Sequence, residues 1–114
     1  MAGDHGALRS QVREIKDYPT DGVTFRDITP LLGDATSFAA AVDGLVAEFP
    51  GAAVDRVVGV ESRGFLFASA VAYHLGAGLV PVRKAGKLPW AVVREEYDLE
   101  YGSDKLEIHR DAIH

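Results

Sequence analysis

The stretch V-V-G-V-E-S-R-G-F-L-F, residues 57–67, decides the fold of this chain. A β-branched apolar run ends at Val60, a short polar turn follows at residues 61–64, and a long apolar segment begins after it. This order predicts a strand, a tight turn and a helix N-terminus, where unpaired backbone N–H groups and the helix dipole favour an anion. Ser62 adds a hydroxyl, and Arg63 adds a two-pronged charged donor that suits a phosphate. These residues alone predict either a phosphate or pyrophosphate site or a merely solvated Arg63 in an ordinary strand–helix turn.

The neighbouring segments complete a strand–helix–strand unit around this turn. Residues 54–60 are predicted to form a buried strand, residues 65–75 a helix that Gly76 closes, and residues 79–82 a second strand. Such an order predicts a right-handed βαβ unit in a parallel sheet. Because the helix is apolar almost all round, it needs cover on several sides, from the sheet or from a partner subunit.

The N-terminal third carries two helical patterns. Leu8, Val12 and Ile15, spaced i, i+4 and i+7, place an apolar stripe on a short N-terminal helix. A second helix follows, and Asp34 or Thr36 can cap it because either side chain can accept a hydrogen bond from the first-turn amides.

The C-terminal quarter of the sequence is typical of β structure. Residues 90–97 and 105–109 carry β-type residues on either side of a polar middle at residues 98–104. This pattern predicts a hairpin or a mobile flap. With the βαβ unit it predicts one α/β domain over residues 1–114, in which helices flank a parallel sheet that carries a β flap.

Composition and charge exclude several classes of protein. The chain has 114 residues, of which 47% are apolar and 25% charged, as in an ordinary globular domain. It has no cysteine, which fits a reducing cytoplasm, and we expect neither a signal peptide nor a membrane span. Its net charge of −5 argues against a nucleic-acid surface, and its four histidines lack metal-ligand spacing.

The charged residues are distributed in blocks. Arg83, Lys84 and Lys87, called the basic cluster below, place three cations within five residues with no acid among them. Residues 95–111 carry seven acids against two basic residues. This pattern predicts a locally basic pocket with an acidic segment nearby.

Four segments, in this order and spacing, carry a resemblance to a known family. They are Y-P-T-D-G-V-T-F-R-D-I-T-P (18–30), G-V-E-S-R-G-F-L-F (59–67), R-K-A-G-K-L-P (83–89) and E-E-Y-D-L-E-Y-G (95–102), the last continuing into L-E-I-H (106–109). Each is weak alone, but together they resemble the adenine phosphoribosyltransferases of the type I phosphoribosyltransferase class. The resemblance implies that fold and covers nearly the whole chain.

The resemblance also implies an activity and its partners. The family joins adenine to 5-phosphoribosyl-1-pyrophosphate and releases AMP and pyrophosphate, with Mg²⁺ carried on the sugar substrate. It implies a cytoplasmic homodimer in purine salvage. Residues 1–30 would hold the N-terminal helix and the adenine segment, residues 31–89 the βαβ core with the pyrophosphate site, and residues 90–114 the mobile catalytic loop.

Substrate-binding roles follow from the resemblance residue by residue. The adenine segment would be Val23, Thr24, Phe25 and Arg26, with the Phe25 ring against the base. Ser62 and Arg63 would bind the leaving pyrophosphate after a cis Glu61–Ser62 peptide bond. The basic cluster would add further pyrophosphate contacts, one of which reaches across the dimer interface.

Catalytic roles implied by the resemblance fall on the loop at residues 95–102 and on Arg63. Glu100 and Tyr101 would be the working pair of the loop. The reaction builds positive charge on the ribose, so the Glu100 carboxylate would either stabilise that charge or take the proton from adenine. Closure of the loop would exclude water from the activated sugar.

The sequence departs from the family pattern at its end. The family continues into another strand, two adjacent acids and a Gly-rich loop that holds the 5′-phosphate, and the 114 residues contain no such loop. We therefore expect the N-terminal two-thirds of an enzyme, nearly inactive by itself. Two alternatives stay open, namely a non-catalytic nucleobase- and pyrophosphate-binding or regulatory partner, and the same reaction on another purine such as xanthine.

Overall fold

The structure, a computed structural model, describes residues 5–51, 53–99 and 102–113. In chain order its elements are α1 (His5–Arg9), β1 (Arg13–Lys16), β2 (Thr24–Asp27), α2 (Thr29–Gly33), α3 (Ala35–Ala47), β3 (Arg56–Val60), α4 (Arg63–Leu75), β4 (Gly78–Lys84), β5 (Val92–Leu99) and β6 (Gly102–His109). Among the described residues no helix is long and apolar enough to cross a membrane. The chain divides into unit 1, Met1–Gly51, and unit 2, Ala52–His114, and the single domain over residues 1–114 stays a prediction.

Unit 1 begins with less helix than the sequence predicts. The expected helix through Ile15 is wrong, because α1 ends at Arg9 and Ile15 lies in β1. Strand β1 pairs antiparallel with β2, which places Ile15 opposite Phe25. β-Branched side chains favour strands, and a cross-strand aromatic partner adds to that preference. The residues with i, i+4, i+7 spacing therefore do not share one helix, because Leu8 lies in α1 and Ile15 in β1.

Helix α3 of unit 1 begins as its sequence requires. The Asp34 carboxylate accepts hydrogen bonds from the Ser37 backbone N–H at 3.0 Å and from the Ser37 hydroxyl at 2.6 Å. Of the two predicted caps, Asp34 is therefore the one used. These bonds hold the pKa of Asp34 below its ordinary value. Among the described residues of this unit, Leu31 and Val42 are the buried apolar ones.

Unit 2 is a four-stranded sheet in the order β3-β4-β6-β5. Strands β3 and β4 are parallel and joined through α4, so the predicted βαβ unit is confirmed. The flap strands β5 and β6 join the same sheet antiparallel, which makes it mixed rather than purely parallel. Helix α4 lies so close to β3 that a Cβ on Gly59 would stand 2.6 Å from the Ala68 Cβ. Glycine is therefore required at this contact.

Element bounds in unit 2 differ from the predicted ones by a few residues. Strand β3 starts at Arg56 instead of residue 54, and α4 starts at Arg63 instead of residue 65. The helix ends at Leu75 and Gly76 closes it as predicted, with a left-handed φ of 68° that suits a residue without a side chain. The early start places Arg63 in the first turn of α4.

The predicted hairpin is confirmed, and its strands extend into the described residues of the polar middle. Asp98 pairs with Ser103 and Leu99 with Gly102, so both strands run through residues predicted to be irregular. Backbone pairing along an antiparallel ladder does not depend on apolar side chains. Glu100 and Tyr101, the predicted catalytic pair, lie outside the described residues.

Candidate anion-binding site

Residues 61–64, called the first turn below, join β3 to α4. The Glu61–Ser62 peptide bond is cis, as the resemblance predicted. Ser62 is the N-cap of α4, and within the described chain its side chain makes no capping hydrogen bond to the helix. Ser62 and Arg63 are both exposed. The turn thus presents a hydroxyl and a guanidinium where helix geometry leaves amides without intrahelical partners.

The basic turn, residues 84–87, follows β4 and uses its backbone differently. Each of its four N–H groups donates a hydrogen bond inside unit 2. The acceptors, in chain order, are Glu61 Oε1 at 2.6 Å, Lys105 O at 3.1 Å, Glu107 Oε1 at 2.9 Å and Lys84 O at 3.4 Å. The basic turn therefore offers a ligand its side chains and not its amides.

Glu61 connects the two turns. Its side chain is only 9% exposed, and its carboxylate accepts a hydrogen bond from Lys87 Nζ at 2.7 Å. Arg83 Nε lies 3.6 Å from the same carboxylate, within ion-pair range. The bonds from Lys87 and from the Lys84 amide hold the pKa of Glu61 below its ordinary value. The sequence alone does not predict this role, although Glu61 immediately precedes the predicted site.

Glu107 anchors the basic turn from the other side. It is 2% exposed and accepts a hydrogen bond from Arg94 Nε at 2.6 Å, and Arg94 Nη2 forms an ion pair with the same oxygen at 2.6 Å. The Gly86 amide and Arg94 hold the pKa of Glu107 below its ordinary value. Side chains alternate between the two faces of a strand, so Glu107 lies on the face opposite to the apolar Leu106 and Ile108. This alternation predicts that the Glu107 side chain is exposed. Only the pairing of β6 with its neighbours reveals the burial.

Lys84 has an acidic partner of its own. Its Nζ lies 3.3 Å from Asp104 Oδ2, and the two side chains are 53% and 28% exposed. The Asp104 carboxylate raises the pKa of Lys84, and the Lys105 amide lowers the pKa of Asp104. The three cations of the basic cluster therefore face two acids, Glu61 and Asp104, which leaves one net positive charge.

The predicted adenine segment lies in unit 1, mostly within β2. Phe25 is half-buried, and its ring meets that of Tyr18 edge-on with centroids 5.4 Å apart. Val23, Thr24 and Arg26 are exposed. The Arg26 side chain lies 3.7 Å from Glu14 and borders an open cavity of about 610 Å³. The contact with Tyr18, which packs against the Phe25 ring, was not predicted from the sequence.

The sequence and the fold of this chain were compared with those of known proteins. No family model matches the chain. An adenine phosphoribosyltransferase from Maricaulis maris is 55% identical over 106 residues, which cover 93% of this chain and 61% of that protein. The structure of adenine phosphoribosyltransferase from Thermoanaerobacter pseudethanolicus superposes with a TM-score of 0.89 at 48% identity, over 94% of this chain and 62% of that one. Over nearly its whole length, the chain is a homologue of the adenine phosphoribosyltransferases.

The homology confirms the predicted α/β fold, which is that of the type I phosphoribosyltransferases. The adenine phosphoribosyltransferase of Saccharomyces cerevisiae has the same fold at a TM-score of 0.90 and 39% identity, over 99% of this chain and 66% of that one. The chain spans 60–64% of the length of the curated adenine phosphoribosyltransferases it matches. The roles of the individual site residues stay predictions.

Unit 2 brings together the five residues predicted to contact pyrophosphate. Glu61 links the first turn to the basic turn, whereas the predicted adenine segment, residues 23–26, belongs to unit 1. Among the described residues, no three His, Asp or Glu side chains converge as metal ligands would. In the described part of unit 2, the candidate site is thus a cation cluster organised by carboxylates.

Proposed function

We propose that the chain supplies the adenine and pyrophosphate sites of an adenine phosphoribosyltransferase in purine salvage. The reaction transfers the 5-phosphoribosyl group from phosphoribosyl pyrophosphate to adenine and releases pyrophosphate. The bond from C1′ of the ribose to the pyrophosphate oxygen breaks, a bond from C1′ to adenine nitrogen forms, and adenine loses a proton. The observation that carries the proposal is the cation cluster beside the first turn of α4, in a homologue of these enzymes.

Pyrophosphate is the ligand that suits unit 2. In the proposal Ser62 and Arg63 bind it at the start of α4, and the basic cluster contacts it from β4 and the basic turn. One net positive charge remains after Glu61 and Asp104 are counted, and the cationic side chains stay partly exposed. A multiply charged anion therefore finds unused donors on several side chains at once.

Adenine is assigned to the segment Val23–Arg26. The half-buried Phe25 ring gives an apolar surface against which a purine can lie, and exposed backbone on either side can read its polar edge. Support comes from the yeast relative, whose structure holds adenine together with an imino-altritol bisphosphate.

Glu100 and Tyr101 keep their proposed roles in the chemical step. As positive charge builds on the ribose, a nearby carboxylate either stabilises that charge or takes the proton from adenine. Arg63 assists departure of pyrophosphate by neutralising its charge. Mg²⁺ enters with the sugar substrate and belongs to that substrate.

A cytoplasmic homodimer is part of the same proposal. Leu66 and Tyr73 on α4 are 47% and 82% exposed, which is unusual for large apolar side chains on a helix that packs on a sheet. A second subunit would cover them and could receive one basic side chain from the first.

The test is formation of AMP by the chain from adenine, phosphoribosyl pyrophosphate and Mg²⁺, with xanthine as an alternative base. Arg63→Ala should abolish turnover, whereas Arg110→Ala, an exposed arginine outside the site, should leave it unchanged. Turnover unaffected by Arg63→Ala would contradict the proposed site. Saturable binding of both adenine and pyrophosphate without turnover would support the two proposed sites in a chain that is nearly inactive by itself, whereas binding of adenine alone would indicate a nucleobase-binding protein.

A further inference from the structure

Glu61 is held more firmly than an ordinary residue of a turn. Its backbone N–H donates to Val82 O at 2.9 Å, which ties the residue to β4. Its Oε1 accepts the Lys84 amide at 2.6 Å, and its Oε2 accepts Lys87 Nζ at 2.7 Å. Two of these bonds come from the backbone, so the carboxylate has a fixed position before any ligand arrives.

This fixed carboxylate in turn restricts two cations. Lys87 has a long flexible stem, and its bond to Glu61 removes rotamer freedom that a ligand would otherwise have to remove. That bond uses one of the three ammonium donors and leaves two. Arg83 Nε approaches the same carboxylate at 3.6 Å, so a negative charge sits between two like charges that would otherwise repel each other.

The arrangement also separates the two faces of the cluster. The Glu61 side chain is 9% exposed, while those of Arg83 and Lys87 are 38% and 45% exposed. The carboxylate therefore lies behind the cations, and their remaining donors reach solvent. An anion can bind the cations from the open side while Glu61 keeps its own bonds.

We propose that Glu61 is a positioning residue for pyrophosphate, and that it acts by holding Lys87 and Arg83 in the geometry in which they meet the anion. The inference rests on the proposed function, since it assigns a task within the pyrophosphate site. A residue with only a structural task would affect binding independently of Lys87, whereas a positioning residue acts through it.

A double-mutant cycle on the chain distinguishes these tasks. Binding of pyrophosphate is measured by calorimetry for wild type, Glu61→Gln, Lys87→Met and the double variant, with folding checked by circular dichroism. Each single variant should weaken binding about tenfold, the effect of losing one charge-assisted contact. The double variant should weaken it only about tenfold to twentyfold, instead of the roughly hundredfold expected of independent losses. Glu48→Gln, on an exposed glutamate of unit 1, is the matched control and should change nothing.

The other outcomes overturn the inference in separate ways. Additive losses, or tighter binding by Glu61→Gln, would show that Glu61 is merely structural or merely repels the anion, with the proposed function intact. A wild-type chain that does not bind pyrophosphate would overturn both the proposed site and this inference. If Glu61→Gln does not fold, Glu61→Asp takes its place in the cycle, because it keeps the charge and draws it back by one methylene.

Discussion

The first turn and the basic turn both carry cations predicted to bind pyrophosphate, but they are built in opposite ways. The first turn opens a helix, so it combines Arg63 with the positive end of a dipole. In the basic turn all four amides donate hydrogen bonds within unit 2, and its cations form ion pairs with Glu61 and Asp104. In the proposal the first turn binds the anion with helix-start amides and the Arg63 side chain, and the basic turn binds it with side chains that carboxylates hold in place. Clustering of positive charge in a sequence does not distinguish the two.

The largest expected effect is a difference in pyrophosphate affinity between a substitution in the first turn and one in the basic turn. Arg63→Ala should weaken pyrophosphate binding by about a hundredfold, since a two-pronged charged contact contributes about 1.5–3 kcal/mol. Lys84→Ala should weaken it only about threefold, because Lys84 is exposed and already paired with Asp104. Calorimetric titration with pyrophosphate measures both. Equal losses at the two positions would erase the distinction between the turns.

The second prediction addresses the frame of the first turn. Gly59→Ala would place a Cβ 2.6 Å from Ala68 Cβ and should destabilise the chain by about 1–3 kcal/mol through overpacking. Gly44→Ala in α3 is the matched control, because no atom lies within 4 Å of its added Cβ. It should stabilise the helix by about 0.5–1 kcal/mol. Urea denaturation of both variants gives the comparison, and a stable Gly59→Ala would show that β3 and α4 are less closely packed.

The third prediction concerns the frame of the basic turn. Glu107→Gln should lower the free energy of unfolding by about 1–2 kcal/mol near neutral pH, because Arg94 and the Gly86 amide lose a charged acceptor. The pKa of Glu107 lies below its ordinary value of 4.5. Its stabilisation is thus complete above that value and is lost as the pH falls through the lower folded-state pKa.

The acid limb of the stability curve provides the check. Wild type should lose stability more steeply than Glu107→Gln as the pH falls below 4.5, since only wild type has this carboxylate to protonate. Glu96→Gln, on the exposed face of the same hairpin, should retain the wild-type slope. Parallel acid limbs for wild type and Glu107→Gln would mean that Glu107 does not fix the turn.

The smallest effect belongs to the exposed ion pair of the basic turn. Asp104→Asn should cost about 0.2–1 kcal/mol of stability, as exposed pairs do. Loss of the negative charge frees Lys84 and should tighten pyrophosphate binding by less than about threefold. Thermal unfolding and the same calorimetric titration measure the two changes, and weaker binding would argue that Asp104 holds Lys84 in place as Glu61 holds Lys87.

Local chemistry explains which parts of the fold the sequence predicted. The Asp34 cap, the Gly76 stop and the βαβ order depend on neighbouring residues, and all three are confirmed. The N-terminal helix was wrong because Ile15 gains a cross-strand partner in Phe25, ten residues later. Such contacts form only when two strands pair, so the spacing of apolar residues along one segment does not predict them.

The same limit applies to the candidate site. The sequence predicted all three members of the basic cluster because they are adjacent in the chain. It missed Glu61, Asp104 and Glu107 because they reach the cluster through the pairing of β3 and β6 with β4. Glu107 alternates with apolar residues, so even the correct strand assignment predicts an exposed side chain. Charge partners across a sheet require register, which short-range patterns do not give.

The row formed by Arg83, Glu107 and Arg94, opposite one another on three adjacent strands, also limits how these sequences can diverge. A buried carboxylate without its arginine is costly, and an arginine without its carboxylate gains nothing from the row. Substitutions at positions 94 and 107 are therefore expected to be inherited together, with glycine kept at position 86, where φ is +87°. Among relatives, these positions should covary as a unit while the exposed positions around them drift freely.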